Sequence, residues 1–268
     1  MRTRLQTVFS ICCLFLLSLF LMGAYAPQAR SQELRIETDV YEGDDQESKS
    51  HNVTLFESGT VYDFVEKPAR ITVFRPPTQS RPGQFILLDT ETQRRTEVST
   101  DRIEGLMDKL SIWAAKHKDP MLQFSAKPEF EETYDEQSGV LTLKHPMWDY
   151  AVATIPAENI ERLASYREFA DWYSRLSTML DGTLPPGPRL KLNAALEKHE
   201  VMPVEIRRTI KSASTQLRAT HLISWRLSRE DHARLEAARE QLTRFEKVKN
   251  KDFLAERVER NVVRGQSE

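Results

Sequence analysis

From Leu34 to Val98 apolar and polar residues alternate in short runs broken by turn residues. Leu34, Ile36, Thr38 and Val40 stand between charged or polar neighbours, the period of a half-buried strand. The acidic stretch 42–50 reads as a loop, Val53 and Leu55 resume the alternation, and Ser58-Gly59 turns the chain into the run from Val61 to Val65. Ile71 and Val73 head a fourth strand that stops at Pro76-Pro77; Phe85 and Leu87 mark a fifth, and Arg95 to Val98 a sixth. The connections are too short for parallel crossovers, so the pattern predicts an antiparallel meander.

The period then changes. Ser99 or Thr100 can cap a helix in which Ile103, Leu106, Met107 and Leu110 recur at i, i+3, i+4 and i+7, and Pro120 stops it. Strands are expected at 129–134, 140–144 and 148–154. Pro156 then opens a second helix striped by Ile160, Leu163, Phe169, Tyr173, Leu176 and Leu180 and terminated at Gly182. A proline-rich loop leads to a short helix at 188–198 and a strand from Met202 to Ile210. Leu217, Ala219, His221, Ile223, Trp225 and Leu227 alternate without a break, predicting a long strand inside the sheet. Ser228 and Asp231 resemble a capping box ahead of a final helix striped by Leu235, Ala238, Leu242, Phe245 and Val248. The class is therefore α+β: an antiparallel sheet of about 9–11 strands, packed on one face by three or four helices.

The first 26 residues differ from the rest. Arg2 and Arg4 precede an apolar run to Met22, and Ala24-Tyr25-Ala26 has the small-x-small form of a cleavage site. These features predict a secretory signal ending at Ala26 or Ala29, the alternative being an uncleaved anchor. The expected domain is 27–249, and residues 250–268 form a helical or disordered tail. Removal of residues 1–26 takes both cysteines, leaving 36 basic against 40 acidic residues, a net charge of −4. A chain without thiols has no disulfide framework, thiolate metal site or cysteine nucleophile, and its acidic balance argues against a nucleic-acid partner.

Charge is uneven: residues 201–268 carry 15 Lys/Arg against 10 Asp/Glu. The excess either attracts the acidic remainder across the fold or offers a basic surface to anionic headgroups. Membrane contact is expected only there or through an uncleaved N-terminus. The six histidines form no metal-binding spacing, and no nucleophile elbow, phosphate loop or dinucleotide fingerprint is present. No metal, cofactor or catalytic residue is assigned, and the chain does not read as an enzyme. His221, on the apolar side of its strand, reads as a satisfied core histidine or as a polar contact to a ligand. The acids from Glu129 to Glu136 read as a charged sheet edge that deters further pairing.

The order of meander, helix, three strands, helical insertion and strand pair, with Tyr62-Asp63-Phe64, Ala69-Arg70-Ile71-Thr72-Val73, Gly83-Gln84-Phe85-Ile86-Leu87 and Met202-Pro203-Val204-Glu205-Ile206, resembles the periplasmic lipoprotein-carrier half-barrels of the LolA/LolB type. The resemblance implies a half-barrel whose concave apolar face is covered by helices, and an exported periplasmic or extracellular protein that binds lipid or lipoprotein acyl chains there. The alternative is a structural module of the same fold with that face filled. Ile71, Val73, Phe85, Leu87, Trp148, Tyr150, Ile223 and Trp225 are expected to share the face and line the cavity.

Overall fold

A computed structural model describes residues 33–211 and 215–256; the segment read as a signal and residues 257–268 lie outside the described residues. The chain first forms β1 (Leu34–Glu42), β2 (Ser50–Glu57), β3 (Thr60–Val65), β4 (Arg70–Arg75), β5 (Gln84–Asp89) and β6 (Arg94–Ser99). Helices α1 (Thr100–Lys116) and α2 (Pro120–Ala126) follow, then β7 (Glu131–Asp135), β8 (Val140–Lys144) and β9 (Trp148–Pro156). Helices α3 (Ile160–Asp181) and α4 (Gly187–Lys198) precede β10 (Val201–Ile210) and β11 (Thr215–Ser224), and α5 (Arg229–Arg244) leads to the two-residue β12 (Glu246–Lys247). A further helical stretch covers 250–256.

All twelve strands belong to one sheet, in the order β12-β6-β5-β4-β3-β2-β1-β11-β10-β9-β8-β7. Two meanders therefore lie side by side, joined where β1 pairs with β11. Every pairing is antiparallel except the short β12–β6 contact. The strand number exceeds the expected 9–11 because β12, a two-residue strand, has too few residues to show a period. The acidic strand β7 forms one edge, with Glu131 and Glu132 exposed, as a pairing-resistant edge requires.

Caps explain the helix starts. The Ser99 and Asn159 side chains accept from the second or third backbone N–H of α1 and α3, and Ser228 and Asp231 form the reciprocal box of α5. Two prolines act differently from expectation. Pro120 begins α2 behind the Asp119 cap, and Pro156 ends β9 beside Val201 rather than opening a helix. Both follow from proline's fixed φ and missing N–H, which suit a first helical turn or a strand end equally.

The helices cover both faces of the sheet, not one. On the inner face Leu34, Ile36, Phe56, Val61, Phe74, Phe85, Leu87 and Val98 pack against Ile103 of α1 and Leu163, Tyr166, Phe169 and Leu176 of α3. On the outer face Val53, Leu55, Tyr62, Phe64, Ile71, Val73, Ile86 and Leu88 pack against Leu235 and Ala238 of α5 and Phe245. A third core joins β8, β9 and β10 to Phe124 of α2 and Leu192, Ala195 and Leu196 of α4. Double coverage is why Phe85-Ile86-Leu87-Leu88 is continuously apolar: each face of β5 has its own partner. The domain also extends past residue 249. Phe253 is buried in the inner core, and Thr96 donates to Asn250 at 2.7 Å.

The charge imbalance is partly resolved within the fold. Lys247 pairs with Glu97, Arg239 with Glu57, and Lys211 with Asp149.

Gly187 positions α4. A Cβ there would lie 2.3 Å from the Ser125 carbonyl oxygen, in the last turn of α2, and 2.8 Å from Pro128 Cδ, just beyond it. Neither is the end of a flexible side chain, so Gly187→Ala must shift backbone. We expect a loss of roughly 1–3 kcal/mol, read as a lower urea midpoint, whereas an unchanged midpoint would mean that α4 can move away freely.

Candidate functional site

The register of three strand pairs builds the site. Thr38 of β1 stands opposite both His221 of β11 and Asn52 of β2. One step along the same face, Ile36 stands opposite Ile223 and Thr54, and Thr54 opposite Asp63 of β3. Cross-strand partners point to one side of a sheet, so five polar side chains gather on the inner face beneath α3. Thr38 Oγ1 and His221 Nδ1 are 2.9 Å apart. Asp63 Oδ1 accepts from Asn52 Nδ2 and from Thr54 Oγ1, both at 2.7 Å.

Above these groups a cavity of about 330 Å³ remains between the sheet and α3. Ile36, Val40, Phe56, Phe169, Ala170 and Ala219 supply its apolar wall. A second cavity of about 610 Å³ is lined by Trp148 and Tyr150 of β9, Arg208 and Ile210 of β10, and the loop from Gly182 to Pro186. Ser174, Ser177 and Arg189 line both. The loop can turn back over the second cavity because Gly182 ends α3 at φ 62°, a left-handed conformation that glycine adopts without a Cβ penalty. The Thr178 hydroxyl then donates to the Leu184 carbonyl at 3.2 Å and holds the loop down.

Arg208 reaches the second cavity through strand alternation. Ile206, Arg208 and Ile210 share the inner side of β10, and Arg208 stands opposite Tyr150 in the register. Its guanidinium lies over the Trp148 ring, 5.4 Å from the centroid. Arg189, in the first turn of α4, donates to Asn193 Oδ1 at 3.0 Å and to the Tyr166 hydroxyl at 3.4 Å.

The chain matches no family model and no curated protein sequence.

The eight residues read from the sequence as one lining are divided among three places. Trp148 and Tyr150 line the second cavity. Phe85 and Leu87 are on the inner face but fully packed in its core. Ile223 and Trp225 are half-buried against the same core, and Trp225 lies one residue beyond the end of β11, beneath the Arg162 guanidinium. Ile71 and Val73 face the other way, onto α5. The sequence pattern predicts a face shared with Phe85 and Leu87, but in the register Ile71 stands opposite Leu88 and Val73 opposite Ile86. With both faces apolar, the alternation in β4 and β5 carries no mark of which side is which. The sequence reading passed over Asp63 and Arg208, whose signal is a charge on the core-facing side of an apolar strand. Arg189 has no such signal, because only the packing of α4 brings it to the cavities. Among the described residues no cluster suited to a metal ion occurs.

Burial governs the electrostatics. It raises the Asp63 carboxyl above its usual range, against the hydrogen bonds from Thr54 and Asn52 and the nearby Tyr173 hydroxyl. Its Oδ2 is buried and takes no part in the hydrogen bonds from Asn52 and Thr54, both of which go to Oδ1. His221 is not the satisfied histidine of the sequence reading, since its Nε2 is buried without a partner. Burial, and then the positive charge of Arg189, push its pKa down to about 3. The imidazole is therefore neutral at neutral pH.

An unfolded imidazole protonates near pH 6.5, so between there and about pH 3 the unfolded chain binds one more proton than the folded chain. Stability is full above the unfolded value and falls as pH falls, by up to about 1.4 kcal/mol per pH unit from this group alone. His221→Gln should lose less stability than the wild type between about pH 7 and pH 5 in urea unfolding. Equal losses would mean that the ring protonates in the folded protein.

Proposed function

We propose that this is an exported envelope protein whose sheet curves as a half-barrel and whose inner cavities hold an acyl chain of a lipid or lipoprotein. Export rests on the Arg2/Arg4 segment, the apolar run and Ala24-Tyr25-Ala26. Among the described residues no helix is long and apolar enough to cross a membrane. The observation that carries the binding reading is the unfilled space beneath α3, bounded by apolar side chains from both the sheet and the helices. Its two parts, about 330 and 610 Å³, are of the size that ligand pockets have. The role is one of binding rather than catalysis.

The division of the inner face supports this reading over the structural module. At β4 and β5 the helices fill the face, and Phe74 and Phe85 stack at 4.6 Å between ring centroids. Beside β1, β9, β10 and β11 the packing leaves room instead. Each buried methylene contributes about 0.8 kcal/mol, so eight give about 6 kcal/mol before ordering costs, enough for reversible holding.

Titration of the purified protein with a fluorescent acyl probe tests the proposal. Saturable binding at micromolar concentration is expected. Failure to bind at tens of micromolar, with the circular dichroism of a folded α+β protein, would leave the structural module as the better account.

A further inference from the structure

The second cavity has an unusual set of polar groups: all of its strong ones are donors. Arg189 and Arg208 both line it, and no carboxylate does. Neither guanidinium makes an ion pair with a carboxylate among the described residues. Asp171 reaches Arg189 only indirectly, accepting from Asn193 Nδ2 at 2.8 Å while Arg189 donates to the amide's other end. Arg208 Nε and Trp148 Nε1 are buried without a hydrogen-bond partner, although the indole approaches the Tyr150 hydroxyl.

Such an arrangement is costly in an empty protein. Two like charges share a partly desolvated space; burial lowers the Arg208 pKa, opposed by Tyr150 and reinforced by the charge of Arg189. A buried cation is ordinarily compensated by a carboxylate supplied by the fold. Around the second cavity the fold supplies aromatic faces, hydroxyls and apolar walls, and among the described residues no carboxylate pairs with either guanidinium. Ser174 and Ser177 at the shared boundary add no negative charge. An anion entering with the ligand would satisfy the free donors and relieve the repulsion between the guanidinium groups.

We infer that Arg189 and Arg208 form the anion-binding end of the cavity, so that the ligand is an anionic amphiphile, an acyl chain ending in a carboxylate or a phosphate. This rests on the acyl-chain reading and specifies its polar end. The chain would lie along the apolar walls of the two cavities and the head at the arginines that border them.

Dodecanoate, dodecyl phosphate and dodecanol have the same apolar chain and differ in the head. Their affinities for the purified wild-type protein can be compared by isothermal titration calorimetry. Both anions, or one of them, should bind at least about tenfold more tightly than dodecanol, the scale of one charge-assisted contact in a partly desolvated site. The tighter anion separates a free fatty acid from a phosphate-bearing lipid as the source. Arg208→Gln should remove most of that preference and leave dodecanol within about twofold, while Arg208→Lys should retain part of it. Dodecanol binding as tightly as both anions in the wild type would overturn the anion site while leaving acyl-chain binding standing. Equal weakening of alcohol and anions by Arg208→Gln in a folded variant would do the same. Absence of binding by all three would overturn both readings.

Discussion

The pairing of β1 with β11 is the contact on which the molecule's arrangement depends. These strands lie at opposite ends of the chain, and the hydrogen-bonding groups of Thr38 and His221 are 183 residues apart in sequence. Their union turns two separate meanders into one sheet. The register is held by its consequences on both faces. A slip of β11 by one residue would carry the exposed Leu222 inward in place of His221, and a slip of β1 would turn Ile36 out of the inner core. On the outer side the same register aims Arg35 at Asp231, the residue that closes the capping box of α5. The strand pair thus sets the polar floor beneath α3 and also helps seat the helix on the opposite face.

The sheet is sealed on one half and open on the other for a packing reason. β4 and β5 carry apolar residues on both sides, so α3 with α1 covers one face and α5 the other, and the inner face is filled there. β8 to β10 bury one face only, against α2 and α4, and β9 alternates between buried and exposed positions. The proline-rich loop between α3 and α4 is held by the Thr178 hydroxyl at the Leu184 carbonyl. Space is left where it passes over Trp148 and Tyr150. A cavity at this junction of four elements costs dispersion contacts that a tight core would have made.

The buried charges border the two cavities beneath α3. Asp63 is compensated by neutral donors from the neighbouring strand, which makes it a satisfied acceptor on one oxygen only. Arg189 and Arg208 lie on the other side of the space, with aromatic and amide neighbours. Core residues chosen for stability alone would be apolar here. The polar set is therefore best understood as belonging to the cavity, and the surrounding apolar cores as what holds it in place.

The sequence by itself determined most of the elements. Caps at Ser99 and Ser228, the glycine stop after α3 and the alternation of β1 and β11 are local, because hydrogen bonding and side-chain period act over a few residues. A continuous run such as Phe85 to Leu88 specified burial but not direction, so the side faced by Ile71 and Val73 waited on where α5 packed. The short helix α2 was hidden behind a proline that could equally have been a stop. Inward charges at Asp63 and Arg208 were open to reading from strand parity. That each borders a cavity also lined by Arg189 was not, since it depends on sheet order and on the Gly187 contact that seats α4. Local sequence fixes which way a side chain alternates; only long-range pairing and helix packing decide what it meets, because those contacts join residues that have no fixed relation along the chain.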